Sequence, residues 1–193
     1  MTEFVFATHN AGKLKELQAM VPPSIKLLSL DDIGCHEEIP ETETNFKGNA
    51  LLKAQHVQKH YGLPCFADDS GLEVSALDGA PGVYTARYAG VDCTSDDNMD
   101  KLLGALENQS DRSARFVCVI ALLQGNEPVY FEGFCPGEIL SERHGTDGFG
   151  YDPIFKPNGF DRSFAQMTMA EKSATSHRGK AVAQLVAFLK NSQ

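Results

Sequence analysis

Nowhere in the sequence do eighteen apolar residues run together, and the opening Phe4-Val5-Phe6-Ala7 follows no basic leader. The first absence excludes a membrane-spanning helix, and the second argues against a cleaved secretory signal. A cytoplasmic protein with no membrane partner is the expectation. No Cys-x-x-Cys pair occurs among the five scattered cysteines, Cys35, Cys65, Cys93, Cys118 and Cys135. An odd set so spaced suits free thiols in a reducing compartment better than a disulfide framework or a zinc site. Positive charge is scarce: 17 Lys and Arg against 26 Asp and Glu leave a net charge of −9. Such a surface repels polyanions at long range and disfavours nucleic acid as a partner. A small anion stays admissible if metal ions and a few local cations receive it. Repeats, low-complexity tracts and linkers are also missing, so residues 1–193 read as a single domain.

What is present is ordinary for a globular chain, with 42% apolar and 22% charged residues. Strand and helix patterns alternate, which predicts an α/β fold. Glu3 to Ala7 reads as a first strand, Thr8 to Lys13 as a tight loop, and Leu14, Leu17 and Val21 as a helix stopped by Pro22-Pro23. Ile25 to Leu30 reads as a second strand. Thr44 is the expected cap of a helix that buries Phe46, Ala50, Ala54 and Val57 and ends near Gly62. Leu63 to Ala67 reads as a buried strand that runs into Asp68-Asp69-Ser70-Gly71, with Leu72 to Val74 as an edge strand beyond. Thr94 or Ser95 caps a helix carrying Met99, Leu102, Leu103 and Leu106. The apolar run Phe116 to Leu123 predicts a central strand covered on both faces. Gly125-Asn126 predicts a hairpin into Val129 to Phe134, which makes the sheet mixed. Thr168 and Glu171 have capping-box spacing, and Ala181 to Leu189 form the last amphipathic helix.

Polar residues that packing does not require gather at three strand-to-loop junctions, where open α/β sheets hold their ligands. At Thr8-His9-Asn10-Ala11-Gly12-Lys13, backbone N–H groups and a helix N-terminus converge, an arrangement that favours an anion. The Walker pattern is absent, and a plain turn with a solvated lysine fits the same residues. At Asp68-Asp69-Ser70-Gly71, two adjacent carboxylates repel each other and call for a cation, a raised pKa or exposure to water. Mg²⁺ meets that need, or one carboxylate deprotonates a water; an acidic turn in solvent is the plain alternative. Glu37, Glu38, Glu41 and Glu43 form an acidic stretch from which one residue can complete a metal site. At 145–153, three glycines and Asp152 surround Phe149 and Tyr151, either of which can stack on a flat group or simply fill the core. Lys172, His177 and Arg178 make a compact donor cluster between two helical segments.

Seven segments in order resemble the inosine triphosphate pyrophosphatase family along essentially the whole chain. They are A-T-H-N-A-G-K at 7–13, E-T at 41–42, F-K-G-N-A-L-L-K-A at 46–54, A-D-D-S-G-L at 67–72, G-A-P-G-V-Y-T-A-R-Y-A-G at 79–90, G-F-G-Y-D-P-I-F at 148–155 and E-K-S-A-T-S-H-R-G at 171–179. The resemblance implies a two-lobed α/β fold around a long mixed sheet flanked by helices, with the active site in the cleft between lobes, and a homodimer. It implies Mg²⁺-dependent hydrolysis of non-standard purine nucleoside triphosphates (ITP, dITP, XTP) to the monophosphate and pyrophosphate. Thr8, His9, Asn10, Ala11, Gly12 and Lys13 would hold the triphosphate, with Ser70 and Lys53 beside it. Asp69 would be the general base and a metal ligand, Glu41 a second ligand, and Asp68 its neighbour. Phe149, Gly150, Tyr151, Asp152, Lys172, His177 and Arg178 would form the base side. His9 stands where the family often has glycine.

Two rivals predict different products. An aspartyl phosphatase would release orthophosphate, but such enzymes usually place a second aspartate two residues on, where Ser70 and Gly71 stand here. A nucleotide sensor would bind without turnover.

Overall fold

The computed structural model describes residues 2–125 and 127–191. Along the chain come β1 (Thr2–Phe6), α1 (Ala11–Met20), β2 (Ile25–Leu28), α2 (Phe46–Tyr61), β3 (Cys65–Val74) and α3 (Ser95–Ala105). Then follow β4 (Ser113–Leu123), β5 (Pro128–Ile139), β6 (Phe155–Pro157), α4 (Met169–Thr175) and α5 (His177–Asn191). One six-stranded sheet orders them β2-β1-β3-β4-β5-β6. β1 is parallel to both β2 and β3, whereas β5 and β6 are antiparallel. Residues 124–127 join the neighbours β4 and β5, a connection too short for a parallel pair. The sheet is therefore mixed, as expected. Of the turn expected at Gly125-Asn126, Asn126 lies outside the described residues.

Two compact units divide the chain. The first comprises Met1–Asp69, Cys118–Glu132 and Ala181–Gln193, and the second Ser70–Val117 and Gly133–Lys180. Period-2 alternation builds the first unit on both faces of its strands. Phe4, Phe6, Phe66, Ile120 and Leu122 pack with Leu17 of α1 and Val182, Leu185 and Leu189 of α5. Their neighbours Val5, Ala7, Cys65, Ala67 and Leu123 pack with Ala54 and Val57 of α2. In the second unit, Leu72, Val74, Phe116, Ile139 and Phe155 bury against Met99, Leu102 and Leu106 of α3. Each buried Val, Leu, Ile, Phe or Met among them contributes roughly 1.5–3 kcal/mol. No helix among the described residues is long and apolar enough to cross a membrane.

Several expectations need correction. α1 starts at Ala11, so Ala11 to Lys13 are its first turn and not loop; Asn10 caps it by accepting from the Lys13 N–H at 3.0 Å. α2 is capped by Asn45, not Thr44: the Asn45 side chain accepts from the Gly48 N–H at 2.8 Å, which turns Phe46 and Asn49 inward. At its far end Gly62 adopts φ 66°, the left-handed conformation that a side chain disfavours.

The largest correction concerns Asp68 to Gly71. These residues form no turn; they lie inside the ten-residue β3. Leu72 and Val74, expected on an edge strand, are fully buried within the same β3. Asp152-Pro153 opens a 3-10 turn, Asp152–Ile154. Proline's fixed φ suits the first turn of a helix as well as it suits a strand. Finally, His177 and Arg178 begin α5 and do not precede it, with Ser176 accepting from the Gly179 N–H at 3.1 Å.

Candidate active site

One polar cluster sits in the first unit. Pairing between β1 and β3 ends at Phe6 and Phe66, so β3 continues past its neighbour and carries Asp68 and Asp69 beyond it. The loop after β1 is held by its own side chains. Thr8 Oγ1 accepts from the Asn10 N–H at 3.1 Å, and Asn10 Oδ1 accepts from Lys13. Accepting uses only oxygen lone pairs, so the Thr8 hydroxyl hydrogen and the Asn10 amide NH₂ keep their donor capacity. Beside them the exposed Ala11 and Gly12 open α1, whose first N–H groups have no partner within the helix.

Asp68 and Asp69 are 2% and 6% exposed, far too buried for a solvated acidic turn. Lys13 Nζ donates to both Asp68 carboxylate oxygens, at 3.0 and 3.2 Å. Asn49 Nδ2 donates to Asp69 Oδ2 at 3.1 Å, and Lys53 Nζ donates to Glu41 Oε1 at 2.6 Å. Burial pushes the Asp69 carboxyl up to about 6; Lys53 opposes that rise, while Glu41 and Asp68 add to it. Burial lowers the Lys53 pKa, but Asp68, Glu41 and Asp69 outweigh it, so Lys53 rises above its ordinary value and stays charged.

A second cluster sits in the second unit. Phe149 is 55% exposed, while Tyr151 is 2% exposed and donates its hydroxyl to the Thr85 carbonyl at 3.0 Å. Of the two candidate stacking rings, Tyr151 is therefore core and Phe149 offers a face. Asp152 Oδ2 accepts from the Phe149 N–H at 2.8 Å and from Lys172 Nζ at 2.6 Å. The Lys172 ammonium lies 4.7 Å from the Phe149 ring centroid, and the Arg178 guanidinium 5.8 Å from it. Arg178 also donates to Ser70 Oγ at 3.1 Å, and His177 stacks on Phe116 at 4.7 Å and 12°. Gly148, at φ 84°, packs against Asp152 so closely that a Cβ would collide with the carboxylate.

The fold thus joins Lys13 to Asp68, Lys53 to Glu41, Ser70 to Arg178, and Asp152 to both Phe149 and Lys172. It places the His9 side chain elsewhere: Nδ1 lies 3.2 Å from Asp31 Oδ1, and Nε2 3.1 Å from the Glu37 carbonyl oxygen. Sequence reading missed Asn49 and Thr85. Asn49 left a trace, as the one polar residue in the apolar face of α2 between Phe46 and Ala50. Thr85 left none.

A mixed sheet that carries buried carboxylates past the end of a neighbouring strand, beside a helix N-terminus and paired lysines, defines an α/β enzyme. A family model described as the Ham1 family matches residues 4–188, and the chain belongs to that family. A protein of Christiangramia forsetii named dITP/XTP pyrophosphatase is 55% identical over 188 residues, covering 97% of this chain and 98% of that one. One of Escherichia coli O157:H7 with the same name is 44% identical, covering 99% and 100%. A solved HAM1 protein from Coxiella burnetii superposes with a TM-score of 0.93 at 43% identity, covering 99% of this chain and all of that one.

Proposed function

We propose that this protein hydrolyses ITP, dITP and XTP to the nucleoside monophosphate and pyrophosphate, using Mg²⁺ and clearing these nucleotides from the cytoplasmic pool. The names of its relatives support the reaction. The observation that carries the reading is Asp69, a carboxylate 6% exposed with its pKa pushed up to about 6. A base poised near neutrality is suited to taking a proton from water.

The donors fit magnesium. Among the described residues Glu41, Asp68 and Asp69 do not close into a compact three-oxygen cage. A closed cage is not required, because Mg²⁺ keeps several waters and commonly takes one or two carboxylates plus substrate phosphate. A carboxyl lifted by burial and by its carboxylate neighbours is what a divalent ion would relieve. Glu41 and Asp69 would hold it, and it would neutralise charge on the phosphate oxygens.

Each residue then has a task. Thr8, Asn10 and the first N–H groups of α1, from Ala11 and Gly12 to Lys13, bind the polyphosphate, and the Lys13 ammonium spreads charge over it. His9 contributes through its backbone. Asp69, oriented by Asn49, accepts the proton as the water oxygen bonds to the α-phosphorus and the bond to pyrophosphate breaks. Lys53 fixes Glu41. In the second unit Phe149 stacks on the purine. The N–H donors of Lys172 and Arg178, with Gly150 as close backbone, read the 6-oxo group. Asp152 pins Lys172, Tyr151 and His177 brace the segment from the core, and Ser70 receives Arg178. Adenine offers an amine where these donors need an acceptor, and sites built on such bonds discriminate by roughly 10⁴.

The net charge of −9 argues against nucleic acid as substrate. The exposed apolar Tyr84 and Val91 are the support for a homodimer, which light scattering tests. The deciding experiment is a panel of nucleoside triphosphates with Mg²⁺, assayed separately for pyrophosphate and orthophosphate. Pyrophosphate from ITP and XTP but not ATP is the expected result. Orthophosphate as the first product, or binding without turnover, would overturn the reading.

A further inference from the structure

Four residues upstream of Glu41, the same acidic stretch enters a second group of ligand atoms with a different chemistry. Cys35 is fully buried where its N–H donates to the Leu30 carbonyl at 2.9 Å. Its Sγ lies 4.0 Å from His56 Nε2 on α2, and that nitrogen lies 2.9 Å from Glu37 Oε1. All three ligand atoms fall within 4.8 Å of one another, the only such trio among the described residues. We propose that Cys35, Glu37 and His56 form a binding site for a zinc-class divalent ion, distinct from the carboxylate cluster around Asp69.

The donor types set the class of ion. A thiolate and an imidazole select borderline transition ions, and magnesium has no use for either. Zinc bonds of about 2.3 Å to sulfur and about 2.0 Å to nitrogen or oxygen put tetrahedral neighbours roughly 3.3–3.8 Å apart. The observed separations of 2.9 and 4.0 Å straddle that range. The Glu37 side chain is 63% exposed and has room to swing outward, while the sulfur is fixed in the core. Outer contacts that would orient the ligands are in place. The Tyr61 hydroxyl stands beside the Cys35 side chain, and the His60 ring packs against His56 at 4.6 Å. Three protein ligands leave a fourth position for water. Binding releases the Cys35 thiol proton to solvent.

The consequence is local fastening. Residues 34–45 hold neither helix nor strand, yet carry Glu41 and the carbonyl on which His9 docks. An ion joining Cys35 and Glu37 to α2 ties that stretch to a rigid element. The sequence spacing gave no hint, because the ligands come from a turn, a loop and a helix.

The test uses the untagged full chain, stripped with chelator and titrated with Co²⁺ alone, without nucleotide. One equivalent of Co²⁺ is expected to bind with a sulfur-to-cobalt charge-transfer absorption that Zn²⁺ removes and excess Mg²⁺ does not. Cys35→Ser should abolish the band, and His56→Gln and Glu37→Gln should each weaken cobalt affinity by at least ~10-fold. Cys93→Ser should leave it intact. Glu37 is exposed and His56 half-buried, so these two variants keep the test valid if Cys35→Ser fails to fold. No charge-transfer band, a band that survives His56→Gln and Glu37→Gln unchanged, or displacement by Mg²⁺ would overturn the proposal and leave an ion pair over a buried thiol.

Discussion

At Asp69 the chemistry and the stability of the fold pull in opposite directions. Burial lifts its carboxyl from 3.8 to about 6, so the folded chain holds that proton more tightly than the unfolded one does. Folded stability therefore declines as pH rises through the window between those values and stays lower above it. A gap of two pKa units sets a ceiling of about 3 kcal/mol. In metal-free protein at pH 8, Asp69→Asn should melt at a higher temperature than the parent, yet lose turnover by orders of magnitude. At pH 4 the melting advantage should vanish. Thermal melts at both pH values, with pyrophosphate release, check the pair of outcomes. Lys13 and Asp68 form the complementary case. Lys13→Met takes one ammonium away from a carboxylate that is 2% exposed and should destabilise by up to roughly 3 kcal/mol. Adding Asp68→Asn should restore much of that stability without restoring turnover, as a denaturant double-mutant cycle would reveal. Asp68 and Asp69 stood out in the sequence as adjacent carboxylates after a buried apolar run, and Lys13 as a cation at the start of a helix. Their pairing did not, since no spacing rule links Lys13 to a strand 55 residues on.

At the scale of elements, local chemistry predicted existence better than limits. Asp-Asp-Ser-Gly has the composition of a turn, yet pairing within the sheet overrides that preference and keeps β3 extended. Thr44 and Asn45 are both competent caps, and only the inward register of Phe46 and Asn49 decides between them. Asn45→Ala should lower stability by about 1 kcal/mol and Thr44→Ala by far less, measured by urea denaturation. Thr168 was identified by its capping-box spacing to Glu171, whereas Thr94 and Ser95 were left as alternatives, and the cap is Thr94, boxed with Asp97. The Gly148 segment yields a functional prediction. Gly148→Ala combines a positive φ with a clash against Asp152, which displaces the partner of Lys172. KM for ITP should rise at least tenfold with a smaller change in kcat, and Gly150→Ala, with open space around it, should do less.

For the whole molecule, the α/β class and mixed sheet followed from alternating patterns and one unbroken apolar strand. Two lobes were implied only by the family resemblance and not by any pattern in the chain, because β3, β4 and β5 each contribute residues to both units and no linker marks the boundary. Ligand binding should be visible globally. With a non-hydrolysable ITP analogue at 100 times its Kd and Mg²⁺, stability should rise by about 2.7 kcal/mol, and omission of Mg²⁺ should abolish most of the gain. Calorimetric melting is the measurement. Placing the proposed base, Asp69, within a paired strand, and not on a loop, limits how this enzyme can change. A single inserted or deleted residue upstream in β3 would swap the faces to which Asp68 and Asp69 project, so the strand tolerates no slippage. New substrate preferences are thus to be sought by varying the segments around residues 36–45 and 145–153, with this anvil of the fold left untouched.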